Sequence, residues 1–235
     1  MLAMTITDEN GKPERGADDN RKPRSDGEQS RERLLLTAIR LFAERGFANS
    51  STRDIALAAG ANVAAISYYF GDKAGLYRAC FTDQSAGPEK DIATFVQPHF
   101  TLRQSLQGFY AQLMAQMGQG DLAQMCMRLW FREMLEPTGL WAEEIDHGIK
   151  PVHLALVDLL ARHLGLVAPD DETHRLAFSI AGLGLQVMIT RDVIESIRPQ
   201  LLATPEAIVA WSAQLVDYAE AMVDAQGRRL QQGKA

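Results

Sequence analysis

The sequence predicts an all-α protein in two parts, a small N-terminal helical unit and a larger helical body. Three observations carry this. Apolar residues recur at a period near 3.6 from Ser30 almost to the C-terminus, with no competing alternation of strand type. Residues 29 to 78 hold several very short helical segments separated by glycine, whereas the segments beyond Gly87-Pro88 are long. Charge divides along the same line. Residues 1–28 carry five Lys/Arg and seven Asp/Glu, residues 29–78 seven and four, and the remainder twelve and nineteen, so the net charge of −6 resolves into −2, +3 and −7. A basic module on an acidic body suits contact with a polyanion through the small part alone, and the pI near 5.4 does not exclude it.

In order along the chain, residues 1–28 are polar and poor in apolar side chains and are expected to form a disordered tail; its Arg21, Lys22 and Arg24 read as solvated charges. Leu34, Leu35, Ala38, Ile39, Leu41 and Phe42 define a first helix that Gly46 ends. Ser50-Ser51-Thr52 offers an N-cap to a helix stopped by Gly60, a third short helix runs from Val63 to about Phe70, and Gly71-Asp72 precede a fourth starting at Lys73. Longer helices are expected over 102–117, 121–135, 140–164, 172–196 and 205–230, giving about nine in all, with no internal repeat. With 46% hydrophobic residues the chain can bury a sizeable core. Cys80 and Cys126 lack metal or disulfide spacing and read as reduced core thiols. No signal-type or membrane-spanning run of apolar residues occurs, which predicts a cytoplasmic protein with no membrane partner.

Two short helices joined by a glycine-containing turn and preceded by a longer one form a helix-turn-helix, whose second helix enters the DNA major groove. The string STRDIALAAGANVAAISYYFGDKAGLY resembles the DNA-binding signature of the TetR family through Thr52, Ile55-Ala56, Ala59-Gly60, Ile66-x-Tyr68-Tyr69-Phe70 and Lys73. The resemblance implies a homodimeric regulator, most often a repressor, that leaves a palindromic double-stranded operator when a small-molecule effector binds. It implies phosphate contacts from Thr52, as helix cap, and from Tyr69 and Lys73. Base edges would be met by Asn62, Val63, Ala64, Ser67 and Tyr68, with Arg53 reaching from the preceding helix; only Arg53 and Asn62 have bidentate chemistry, toward guanine and adenine, while Val63 and Ala64 suit a thymine methyl. Ser67 and Ala64 depart from the commoner family pattern, so no operator sequence carries over.

RLWFREMLEPTGLW resembles CecR-type regulators within the family. The Met- and aromatic-rich 121–135 segment predicts an adaptable effector site, with Phe109, Leu113, Met125, Leu129 and Trp141 as candidate lining against the alternative of plain core packing. Gly182 and Gly184, with the apolar residues around them and Trp211 on the last helix, are expected at a two-fold interface. The expected division is therefore 1–28 tail, 29–78 DNA-binding domain, and 79–235 effector-binding and dimerisation domain. Enzyme readings have little support: no GxSxG, Walker or GxGxxG string occurs, the histidines lack i,i+4 metal spacing, and His147 beside Glu143, Glu144 and Asp146 reads as an acidic solvated face. No cofactor is implied.

Overall fold

The structure, a computed structural model, describes residues 26–82, 88–115 and 120–233, so Arg21, Lys22 and Arg24 lie outside the described residues. Helix α1 (Asp26–Arg45) begins a few residues before the expected Ser30, inside the stretch read as tail. It buries Leu34, Leu35, Ala38, Ile39, Leu41, Phe42 and Ala43, too many for one stripe, because it is covered from two sides. The short helices α2 (Thr52–Ala58), α3 (Val63–Phe70) and α4 (Lys73–Thr82) pack on one side, and α7 (Asp121–Leu135) lies along another.

The small core is therefore not self-contained. Leu129 of α7 is 1% exposed and belongs to the cluster of Leu34, Phe42, Ile55, Ile66, Leu76 and Tyr77, with Met125, Cys126 and Leu140 packed against it. A division after residue 78 also falls within α4. Sequence periodicity showed that α7 has an apolar face but not that the face belongs to the head.

The second core is built by α5 (Pro88–Phe95), α6 (Leu102–Ala115), α9 (Lys150–His163), α10 (Asp171–Ile189) and α12 (Pro205–Gln232). Phe95, Leu106, Tyr110, Leu156, Leu160, Ala177, Ile180 and Val216 fill it. Helix α6 starts with a reciprocal capping box: the Thr101 hydroxyl accepts from the Gln104 N–H at 3.2 Å and the Gln104 side chain accepts from the Thr101 N–H at 2.9 Å. Its Tyr110 hydroxyl donates to the Ile180 carbonyl at 2.8 Å, tying α6 to α10, while Arg103 bridges Asp217 and Glu220 of α12.

Twelve α-helices occur among the described residues, more than the nine expected. Helix α5 was not anticipated, and two long segments are broken. The 140–164 segment divides into α8 (Leu140–Glu144), a π-helical turn (Ile145–Ile149) and α9. Pro151 has no N–H to donate four residues back and its ring crowds that carbonyl, which a wider turn relieves. The 172–196 segment bends by 64° between α10 and α11 (Arg191–Ile197), where the Thr190 hydroxyl donates to the Gln186 carbonyl at 2.8 Å. No single helix among the described residues is long and apolar enough to cross a membrane, and α10 with α11 meets the length and composition only as this bent pair.

Candidate nucleic-acid interface

Helix α2 is capped by Ser51, whose hydroxyl accepts from the Asp54 N–H at 3.0 Å. This corrects the assignment of the cap to Thr52, which is the first helical residue and half-buried. Its neighbour Ser50 is buried and donates to the carbonyls of Leu41 and Gly46, fixing α2 against the end of α1. In the α2–α3 turn Gly60 has φ +63°, a conformation costly for any residue with a Cβ, and the Ala61 N–H returns to the Ala56 carbonyl at 2.9 Å.

Asn62 caps α3, its Oδ1 accepting from the Ala64 N–H at 2.9 Å. Bidentate adenine reading needs that oxygen and the amide nitrogen together. The oxygen is already engaged, which leaves the nitrogen as the group without a partner in this cap. Asn62→Ala is accordingly expected to lower the stability of the head by about 1 kcal/mol, with Asn62→Ser restoring most of it. Urea denaturation of the three proteins checks this, and equal stability of wild type and Asn62→Ala would remove the capping role.

Helix α3 turns Ile66 into the core and half-buries Ala65, Tyr69 and Phe70, while Val63, Ala64, Ser67 and Tyr68 lie exposed. Their spacing places them on one face, and Tyr68 is 82% exposed. Arg53 on α2 is also exposed. Half-buried Lys73 holds its ammonium 4.4 Å from the centre of the Phe47 ring, and the ring of Tyr69 packs edge-on against that of Tyr68. On α1 the Arg31 guanidinium stands 5.0 Å from the centre of the Phe70 ring.

Helix α4 joins this head to the body through two polar links that sequence spacing could not show. The Tyr77 hydroxyl donates to Glu133 Oε2 at 2.9 Å, and Glu133 Oε1 accepts from the N–H and hydroxyl of Thr138 at 2.8 and 3.1 Å. Burial foremost, and Glu133 second, push the Tyr77 phenol far above its ordinary value of 10.0, so it remains a donor. One residue on, Arg78 pairs with Glu143 of α8 at 3.3 Å.

The five candidate effector residues are not gathered around one cavity. Phe109 and Leu113 of α6 pack on the larger core, Met125 and Leu129 on the small one, and Trp141 meets Trp130 edge-on with ring centres 5.0 Å apart. Two open surface depressions of about 450 and 440 Å³ lie elsewhere, one at Leu164, Val223 and Gly227, the other at Val96, Asp158 and Val167. The interface expectation is also redistributed. Gly184 is buried against α6 and Trp211 packs on the larger core, whereas Gly182 has open space at its Cβ position. His153 and His174, which share no motif spacing, meet across α9 and α10 with ring nitrogens 3.0 Å apart.

Residues 34–80 match the family model of bacterial regulatory proteins of the tetR family, and residues 102–226 match that of the C-terminal domain of the HTH-type transcriptional dual regulator CecR. The CecR regulator of Shigella flexneri is 32% identical over 182 residues, which cover 70% of this chain and 81% of that protein. Among solved structures, Salmonella enterica GusR gives a TM-score of 0.58 at 17% identity and covers 83% of this chain and 95% of that one. NalD, the secondary repressor of the MexAB-OprM multidrug efflux pump in Pseudomonas aeruginosa, gives 0.57 at 18% identity with 85% and 98% covered. These structural likenesses establish the fold. The two family models match in the order head then body, and the chain therefore belongs to the TetR family of DNA-binding transcriptional regulators, within its CecR-like subgroup, and is not an enzyme.

Proposed function

We propose that this regulator acts in the cytoplasm as a homodimeric repressor, with residues 29–78 reading a palindromic operator and residues 79–235 providing dimerisation and an effector site. The observation that carries the reading is the exposed face of α3, with Val63, Ala64, Ser67 and Tyr68, in a head that also carries exposed Arg53 on α2 and half-buried Lys73 on α4. A face of methyl and hydroxyl groups can enter a major groove without desolvating charge, while Lys73 meets a phosphate and Arg53 a guanine edge. Dimerisation is supported by Phe178, Gly182, Leu185 and Ile189, which follow one face of α10 and include a phenylalanine that is 63% exposed. Effector release is supported by α4, which belongs to the head and is also tied to α7 and α8. A second reading, activation at some promoters, is favoured because the Shigella flexneri relative is named a dual regulator.

Sequencing of DNA selected by the purified protein from a random pool tests the proposal. A two-fold symmetric site is the expected result; its absence would remove the operator reading. With the site in hand, Lys73→Ala is expected to weaken binding to all sequences alike and to reduce the salt slope by about one unit. Arg53→Ala is expected to cost about 1–3 kcal/mol and to relax preference at one base pair. Repeat selections with both variants separate positioning from reading.

A further inference from the structure

Trp130, Phe131, Trp141 and Glu144 form a cluster at the α7–α8 junction that the DNA-binding function does not use. The Trp130 and Trp141 rings meet at 75° with centres 5.0 Å apart, and Phe131 meets Trp130 at 79° and 5.5 Å. All four side chains are half-buried, so none is sealed from solvent. Beside the Trp130 indole lies the Glu144 carboxylate, whose one hydrogen bond among the described residues is a long 3.4 Å donation from Trp130 Nε1.

Glu144 differs from the acids around it. Glu136 pairs with Arg132, Glu143 with Arg78 and Asp146 with Lys150, yet no lysine or arginine among the described residues pairs with Glu144. Burial raises its carboxyl above the ordinary range, the Trp130 bond opposing only in part, as expected of a half-buried acid without a counter-ion. The chain also makes room for it. Gly148 stands one turn on, within the π-helical turn, and a Cβ there would sit 2.5 Å from Glu144 Oε1. A carboxylate held by one indole of a contacting pair is the chemistry that recognises an organic cation, since the ring faces and the acid both attract positive charge.

We propose that this cluster binds an organic cation, a quaternary ammonium or protonated amine, as the effector, and that capture is relayed to α4 through the adjacent Arg78–Glu143 pair. The inference rests on the effector-released reading above and names the ligand class and the relay. Trp141, Glu143 and Glu144 share the five-residue helix α8, so a ligand that repositions the acid and the indole moves the partner of Arg78 with them. Only a ligand that favours one α8 position over the other shifts the head.

The test is calorimetry on the full chain with choline and with 3,3-dimethylbutan-1-ol, its uncharged counterpart of the same shape. Choline is expected to bind about ten-fold more tightly than the alcohol, and Glu144→Gln, which keeps size and hydrogen bonding, to abolish that preference. Choline is also expected to weaken operator binding by the wild type, and Arg78→Ala to retain choline binding while losing this effect. Equal affinity for the two probes, an unchanged Glu144→Gln protein, or no choline binding would each overturn the cation site. Choline binding with no effect on the operator would overturn the relay. Operator selection without any cation judges the DNA-binding reading separately, so its failure is not confused with failure at Glu144.

Discussion

Replacing Glu133 by leucine is expected to destabilise the protein by about 3 kcal/mol, within the range found when one partner of a buried charged hydrogen-bond set is removed. Glu133 is 1% exposed and accepts three hydrogen bonds, one from Tyr77 and two from Thr138. Leucine leaves the Tyr77 hydroxyl buried without its acceptor, whereas exposed Thr138 can turn to water. At this chain length such a loss corresponds to a melting temperature lower by roughly 6–12 °C. A double-mutant cycle with Tyr77→Phe is the check: the phenylalanine removes the stranded hydroxyl, so the double variant should be less destabilised than the sum of the singles. Additive losses would mean that the bond contributes nothing beyond packing. The pH dependence follows from the raised Tyr77 phenol. A group whose folded pKa lies above its unfolded value contributes stability that is complete below the latter, here 10.0, and is lost as pH rises beyond it. Alkaline unfolding curves should therefore be flatter for Tyr77→Phe than for the wild type.

The second large effect separates two glycines one residue apart on either side of Leu183. A Cβ at Gly184 would stand 2.3 Å from Leu113 Cδ2 and 3.4 Å from the Tyr110 ring. The end of Leu113 can move, but Tyr110 is held by its bond to the Ile180 carbonyl. Gly184→Leu is accordingly expected to cost about 2 kcal/mol, overpacking outweighing the roughly 1 kcal/mol gained in helix propensity. Gly182 meets nothing within 4 Å, on the face that carries exposed Phe178 and Ile189. Gly182→Glu should leave monomer unfolding nearly unchanged but place a charge in the proposed two-fold interface, producing monomers with much weaker operator binding. Light scattering and denaturation of both variants decide the matter. A dimeric Gly182→Glu protein would put the interface on another face, and a fully stable Gly184→Leu protein would contradict the α6–α10 packing.

The sequence by itself determined the helical class, the short-helix head and the residues that α3 exposes. These depend on local chemistry: glycine at a left-handed turn, side-chain caps and the 3.6-residue period act within a few positions of themselves. The TetR-like string added the DNA-binding reading because it spans that whole local unit. Even here the structure decided between neighbours and roles: Ser51 and not Thr52 caps α2, and Asn62, read as facing a base, uses its amide oxygen to cap α3. What only the tertiary structure decided is which apolar face meets which partner. Leu129 reads as body but completes the core of the head; Gly184 reads as interface but receives α6 of its own chain; Glu144 reads as part of a solvated acidic face but is half-buried and lacks a counter-ion among the described residues, while Glu133 is saturated by Tyr77 and Thr138. Periodicity fixes the direction in which a side chain leaves its helix, whereas its partner is set by packing between segments far apart in the chain, which no local pattern encodes.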